Sequence, residues 1–134
     1  MMLNENKRYL GIDWGGKRVG LALAEGEVKI ASPWKTVSGM EEVLEAVENE
    51  EVDVVVVGVP FKVHGRDKEV DPEFQEFLRK LRENIKAEVV TVDERLSSKS
   101  ADALDQGGHG KTERDAVAAM VILQQYLDNI DIGY

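Results

Sequence analysis

The most restrictive stretch of this chain is Asp53-Val54-Val55-Val56-Val57, a β-branched run without polar alternation. Such a run favours an extended backbone, and it suits a central strand covered on both faces. The patterns around it supply partners. Tyr9 to Asp13 and Val19 to Ala24 read as strands joined by a tight Gly15-Gly16 turn, and Val28 to Thr36 reads as a third, antiparallel strand. Ser38-Gly39-Met40-Glu41 has the form of a capping box, after which Met40, Val43, Leu44 and Val47 recur at helical spacing. Beyond a loop from Gly58 to Val70, Asp71-Pro72 predicts an N-cap followed by proline in the first helical turn, and Phe74, Phe77, Leu78 and Leu81 give that helix its apolar stripe. Glu88 to Val92 predicts another strand. Ser97 caps a helix to about Leu104, a loop follows at Gly107-Gly108-His109-Gly110, and a long helix runs from about Glu113 to Asp128.

This order begins as a meander and ends in parallel crossovers. It predicts an α/β fold of ribonuclease H-like arrangement: a mixed five-stranded sheet, strands 1–3 antiparallel and then strands 4–5 parallel, with helices on both faces. The 134 residues carry no internal repeat or linker, so the expectation is one domain over residues 1–134. That length is too short for a barrel of eight strand–helix units. The absence of Cys excludes a disulfide framework, a thiolate nucleophile and Cys-ligated zinc. The first residues lack the apolar core of a signal peptide, and no apolar stretch approaches the roughly 20 residues of a membrane helix, so a soluble cytoplasmic protein is expected. The net charge of −9 is uneven. Residues 41–53 hold seven acids and no base, which reads as the solvated face of one helix and leaves the remainder able to present positive surface to nucleic acid.

Three acidic positions stand out by placement. Asp13 closes an apolar strand before the glycine turn, Asp93-Glu94 closes another, and Asp115 begins the apolar stripe Ala118, Ala119, Ile122, Leu123 and Tyr126 of the last helix. Carboxylates at the C-terminal ends of strands and on a packed helix can converge at one edge of a sheet. Crowded in that way they share protons or bind a cation, and all-oxygen ligation favours Mg²⁺ or Mn²⁺. Each position also has a structural reading. Asp115 fits a capping box in Thr112-Glu113-Arg114-Asp115, Asp13 fits a turn former, and Glu94-Arg95 fits an exposed ion pair. Gly11, Gly15, Gly16 and Gly20 around Lys17-Arg18 read either as a phosphate-cradling turn of the actin-like ATPase type or as an ordinary tight turn. Lys62 and Arg66 are loop cations, and Trp14, Trp34 and Tyr126 read as packing residues.

Four segments in order, GIDWGGKRVGLAL (Gly11 to Leu23), VVVVGVP (Val54 to Pro60), VDERLSSKSA (Val92 to Ala101) and DAVAAMVILQQYLD (Asp115 to Asp128), give the chain a wider likeness. It resembles the bacterial YqgF/RuvX family, described as pre-16S rRNA nucleases or Holliday-junction-resolvase-like proteins. The resemblance implies metal-dependent cleavage of structured nucleic acid. Asp13, Glu94 and Asp115 would be the catalytic and metal-holding set, with Asp93 supporting because period-two alternation turns it to the opposite face from Glu94. Lys17, Arg18 and Arg95 would contact phosphate, and Gly15 and Gly16 would shape the turn; Lys111, after the glycine loop and near Asp115, is a further substrate-binding candidate from its position. The loop Phe61-Lys62-Val63-His64-Gly65 departs from the family's polar pattern. Precursor rRNA and branched DNA both fit as partners, and the protein fits either a monomer or a homodimer. A non-catalytic nucleic-acid-binding module on the same fold is the competing reading.

Overall fold

The computed structural model describes residues 7–64, 67–93 and 111–132. Strands β1 (Arg8–Trp14), β2 (Val19–Glu25) and β3 (Ser32–Val37) form an antiparallel meander, and α1 (Met40–Asn49) leads into β4 (Val54–Val59). A small hairpin of β5 (Phe61–His64) and β6 (Asp67–Val70) precedes α2 (Pro72–Asn84), β7 (Glu88–Asp93) and α3 (Lys111–Ile132). The main sheet has the order β3-β2-β1-β4-β7, with β4 parallel to both β1 and β7. The valine run therefore lies inside the sheet, and Val54, Val55, Val56 and Val57 are all buried.

Two cores cover the two faces, as that run requires. On one, Leu10, Ile12, Leu21, Val55 and Val57 pack with Val43 and Val47 of α1 and with Phe74, Phe77 and Leu81 of α2. Trp14 joins this side, its ring 5.6 Å from that of Phe74 in an edge-on contact. On the other face, Tyr9, Ala22, Val54 and Val56 pack with Ala119, Ile122, Leu123 and Leu127 of α3, and Tyr126 sits 6.2 Å from the Tyr9 ring. Glu41, Glu42, Glu45 and Glu48 are exposed on α1 while Val43, Ala46 and Val47 are buried, so much of the acidic segment is a solvated helix face.

Local details confirm some expectations and correct others. Asp71 caps α2, its Oδ1 accepting from the Glu73 amide at 2.8 Å. The capping box expected at Ser38 is absent: Gly39 is the N-cap of α1, and the Ser38 hydroxyl donates to the Glu42 carboxylate instead. The third strand starts four residues later than expected. Val28 and Ile30 are exposed, Lys29 adopts a positive φ of 60°, and the Gln124 side chain of α3 holds the segment. Gln124 Oε1 accepts from the Ala31 amide at 2.8 Å, and its Nε2 donates to the Lys29 carbonyl at 3.1 Å, a pairing a neighbouring strand would otherwise make. Within the expected 58–70 loop there is a two-stranded hairpin pairing Phe61 with Val70 and His64 with Asp67. The helix predicted from Ser97 to Leu104 and the Gly107–Gly110 loop lie outside the described residues.

Candidate active site

Close approach between the last helix and the sheet sets the site geometry. A Cβ at Gly20 would stand 2.0 Å from the carbonyl oxygen of Asp115, and one at Gly11 would stand 2.7 Å from both the Ala119 carbonyl oxygen and the Leu123 Cβ. These two glycines lie within β2 and β1, so neither belongs to a phosphate cradle or to the turn. They leave bare sheet on which α3 rests, and they fix Asp115 over β2. Gly15 and Gly16 do form the turn: the Gly15 amide donates to the Arg18 carbonyl at 2.8 Å, and Gly16 has a φ of 81°, which a residue with a Cβ adopts only at a cost.

Asp13 lies in a row that crosses four strands. It pairs with Gly20 of β2 and Gly58 of β4, and Gly58 pairs with Val92 of β7. Directly paired residues project to the same side of a sheet. Asp13 therefore continues the Tyr9–Gly11 line on the α3 face, beside the glycine on which the Asp115 backbone rests. It also lies at the carboxyl ends of the parallel strands, where open α/β sheets place their ligands.

Asp115 is the fifth residue of α3 and does not cap it. Its carboxylate accepts instead from Arg18 Nε at 2.8 Å, the Asp115 and Arg18 side chains being 20% and 49% exposed. Arg18 comes from the β1–β2 turn, as does the exposed Lys17. Asp93 pairs with Val59, which packs with Val89 on the α1/α2 side, so Asp93 lies on the face opposite Asp13. Lys111 is the first residue of α3. Glu94 and Arg95 lie outside the described residues. Among the described residues no three acids or histidines form a group able to hold a metal ion; the fold brings two of the three expected carboxylates, Asp13 and Asp115, to one side of the sheet.

Two polar residues that the sequence pattern did not single out hold this frame. Gln124 ties α3 to the segment before β3 through Ala31 and Lys29. Asp53 sits at the other end of the parallel strands, where its Oδ2 accepts from the Arg8 amide at 2.9 Å, its own amide donates to the Arg8 carbonyl at 2.8 Å, and its carbonyl accepts from the Glu88 amide at 3.0 Å. Near this end burial raises the Tyr9 hydroxyl above its ordinary value, with further contributions from the charges of Tyr126, Asp53 and Glu88. Burial and then the Glu88 charge raise Tyr126 likewise. An aspartate immediately before a strand was a signal for the Asp53 clamp. No comparable signal marked Gln124, which stands beside Gln125 in the sequence.

Among the described residues no helix is long and apolar enough to cross a membrane. In overall fold the chain is similar to Thermus thermophilus RuvC in complex with Holliday junction substrate, with a TM-score of 0.60 and 16% identity over 96% of this chain and 97% of that one. A second Thermus thermophilus RuvC structure matches with a TM-score of 0.56, at 92% and 96% coverage. Together with the strand order, these likenesses place the sheet in the expected ribonuclease H-like class. A Fusobacterium nucleatum protein named "Putative pre-16S rRNA nuclease" is 34% identical over 91% of this chain and 97% of its own length. A Chlorobaculum tepidum protein of the same name is also 34% identical, over 96% and 99%. The family model described as RuvX, Holliday junction resolvase, matches residues 7–129, and the chain belongs to that family.

Proposed function

We propose that this protein is an endonuclease that hydrolyses phosphodiester bonds of structured nucleic acid, acting on the 5′-extended precursor of 16S rRNA in the cytoplasm. The observation that carries this reading is the placement of Asp13 and Asp115 on one side of the sheet, at the carboxyl ends of its parallel strands. Relatives of almost equal length that are named nucleases support phosphodiester cleavage as the chemistry.

The donor set fits a hard divalent cation. Asp13 and Asp115 offer carboxylate oxygens, the chain has no Cys, and Gly58 puts no side chain beside Asp13 on the sheet floor. Asp13, Asp115 and, by the family resemblance, Glu94 would hold Mg²⁺ or Mn²⁺. What a bound cation supplies there is Lewis acidity toward a phosphate oxygen and a more acidic water. The remaining work falls to the chain. Asp13 stands on a strand hydrogen-bonded on both sides, which fixes its backbone with little freedom. The Asp115 backbone is fixed by its seat on Gly20. Lys17, Arg18, Arg95 and Lys111 orient the nucleic-acid backbone so that water attacks phosphorus and the products carry a 5′-phosphate and a 3′-hydroxyl, with Asp93 supporting the strand end. The folded unit is one domain.

The test is cleavage of a 5′-extended 16S precursor by the purified protein with Mg²⁺, alongside the folded Asp13→Asn variant. Precursor shortening that disappears in the variant supports the reading, and equal activity in the variant overturns it. The family description favours one second reading, resolution of a four-way DNA junction. A synthetic junction run beside the precursor distinguishes the two, since the preferred substrate is cut at the lower enzyme concentration.

A further inference from the structure

The Arg18–Asp115 pair has a consequence that phosphate binding alone does not require. A guanidinium placed only to receive nucleic acid need not touch an acid of the site, yet here its Nε lies 2.8 Å from a carboxylate that is four-fifths buried. Such a charge-assisted bond occupies Oδ2 of Asp115, and it competes with any cation for that oxygen. Arg18 is half exposed and comes from a glycine-containing turn, so it can leave without disturbing the core. Because the pair uses Nε alone, the four Nη hydrogens of the guanidinium take no part in it. A phosphate offers the whole fork a new partner of equal charge.

We infer that Arg18 is a positioning residue that makes cation binding depend on nucleic acid: it holds the Asp115 carboxylate until a backbone phosphate draws the guanidinium away, and only then is that carboxylate fully available to the divalent ion. The inference rests on the proposed cation site and adds an order of events to it. Coupling of this kind is reciprocal, so cation and nucleic acid raise one another's affinity by the same factor. It also limits unproductive loading of the site when no substrate is present.

The experiment is a calorimetric Mn²⁺ titration of the full chain, with and without a saturating RNA duplex made with phosphorothioate linkages to slow cleavage. Wild type, Arg18→Gln, Arg18→Lys and Asp13→Asn are compared, each checked for folding by circular dichroism. Without RNA, Arg18→Gln is expected to bind Mn²⁺ about five- to tenfold more tightly than wild type. Arg18→Lys, which keeps the charge, stays near wild type. With RNA the wild-type affinity rises toward that of Arg18→Gln, whose own change records the general field of the polyanion. If Mn²⁺ binds, is lost in Asp13→Asn, but is unchanged or weaker in Arg18→Gln, the coupling role is overturned while the cation site stands. If Mn²⁺ binding is absent from the wild type with and without RNA, or unaffected by Asp13→Asn, the site itself fails and takes the coupling with it.

Discussion

The two ends of the parallel strands each carry an aspartate, and the two are used differently. At the amino end Asp53 spends its carboxylate on the Arg8 amide, and its backbone amide and carbonyl bond Arg8 and Glu88, so that one residue ties β1, β4 and β7 together. Arg8 adds a side-chain bond to Glu50 at 3.3 Å. At the carboxyl end Asp13 is flanked in its row by Gly20 and Gly58, and the nearby Asp115 carboxylate is held by a half-exposed arginine from a turn. An acid at a strand end is therefore uninformative by type. What separates the ends is whether a carboxylate is spent on a backbone amide, as at Asp53, or on a half-exposed side chain from a turn, as at Asp115.

Substitutions at the two ends sharpen this contrast. Asp13→Asn is expected to lower cleavage about a thousandfold, the effect of several kcal/mol of lost cation chemistry, with little change in melting. Asp53→Ala should do the reverse. Its urea midpoint drops by the equivalent of about 1 kcal/mol while activity per folded molecule is kept. A large activity loss in Asp53→Ala would erase the distinction between the ends.

Gly20→Ala comes next. The added methyl meets the Asp115 carbonyl oxygen and α3 must lift, so a destabilisation of roughly 2–3 kcal/mol is expected together with impaired cleavage. Gly16→Ala is the control. It strains only the turn, by about 1 kcal/mol, and leaves α3 seated.

The smallest effect belongs to the tyrosines near the amino end. Tyr9 and Tyr126 are both raised above their ordinary value of about 10 in the folded protein. Below that pH both folded and unfolded chains keep the protons, and stability is complete. Above it the unfolded chain ionises first, so stability falls until the folded tyrosines also titrate. Urea midpoints at pH 8 and pH 10.5 are expected to differ less in Tyr126→Phe than in wild type.

Much of this architecture was legible because hydrophobic pattern and face coincide. The unbroken valines announced a strand covered on both sides, and the 3.6-residue stripe after Asp115 announced a helix lying on the sheet with Asp115 at the head of its apolar face. The start of β3 was not legible, because a tertiary bond from Gln124 and the positive φ of Lys29 decide it, and neither leaves a local pattern. The β5–β6 hairpin was hidden by its charge. Phe61-Lys62-Val63-His64 alternates, but beside Asp67-Lys68-Glu69 the stretch reads as a polar loop. In the site, Asp13 and Asp115 were visible as positions, whereas the Arg18 bond joins residues 97 apart and depends on how closely two glycines let the helix descend.

The Gln124 bonds bear on how this protein tolerates change. One side chain on α3 holds the segment just before the outermost strand, so the seating of that helix and the start of β3 are tied through two hydrogen bonds. Asp115 rides on the same helix two and a half turns earlier. An inserted residue in the 26–31 connection would therefore act at a distance, breaking the tie between that connection and the helix that carries Asp115.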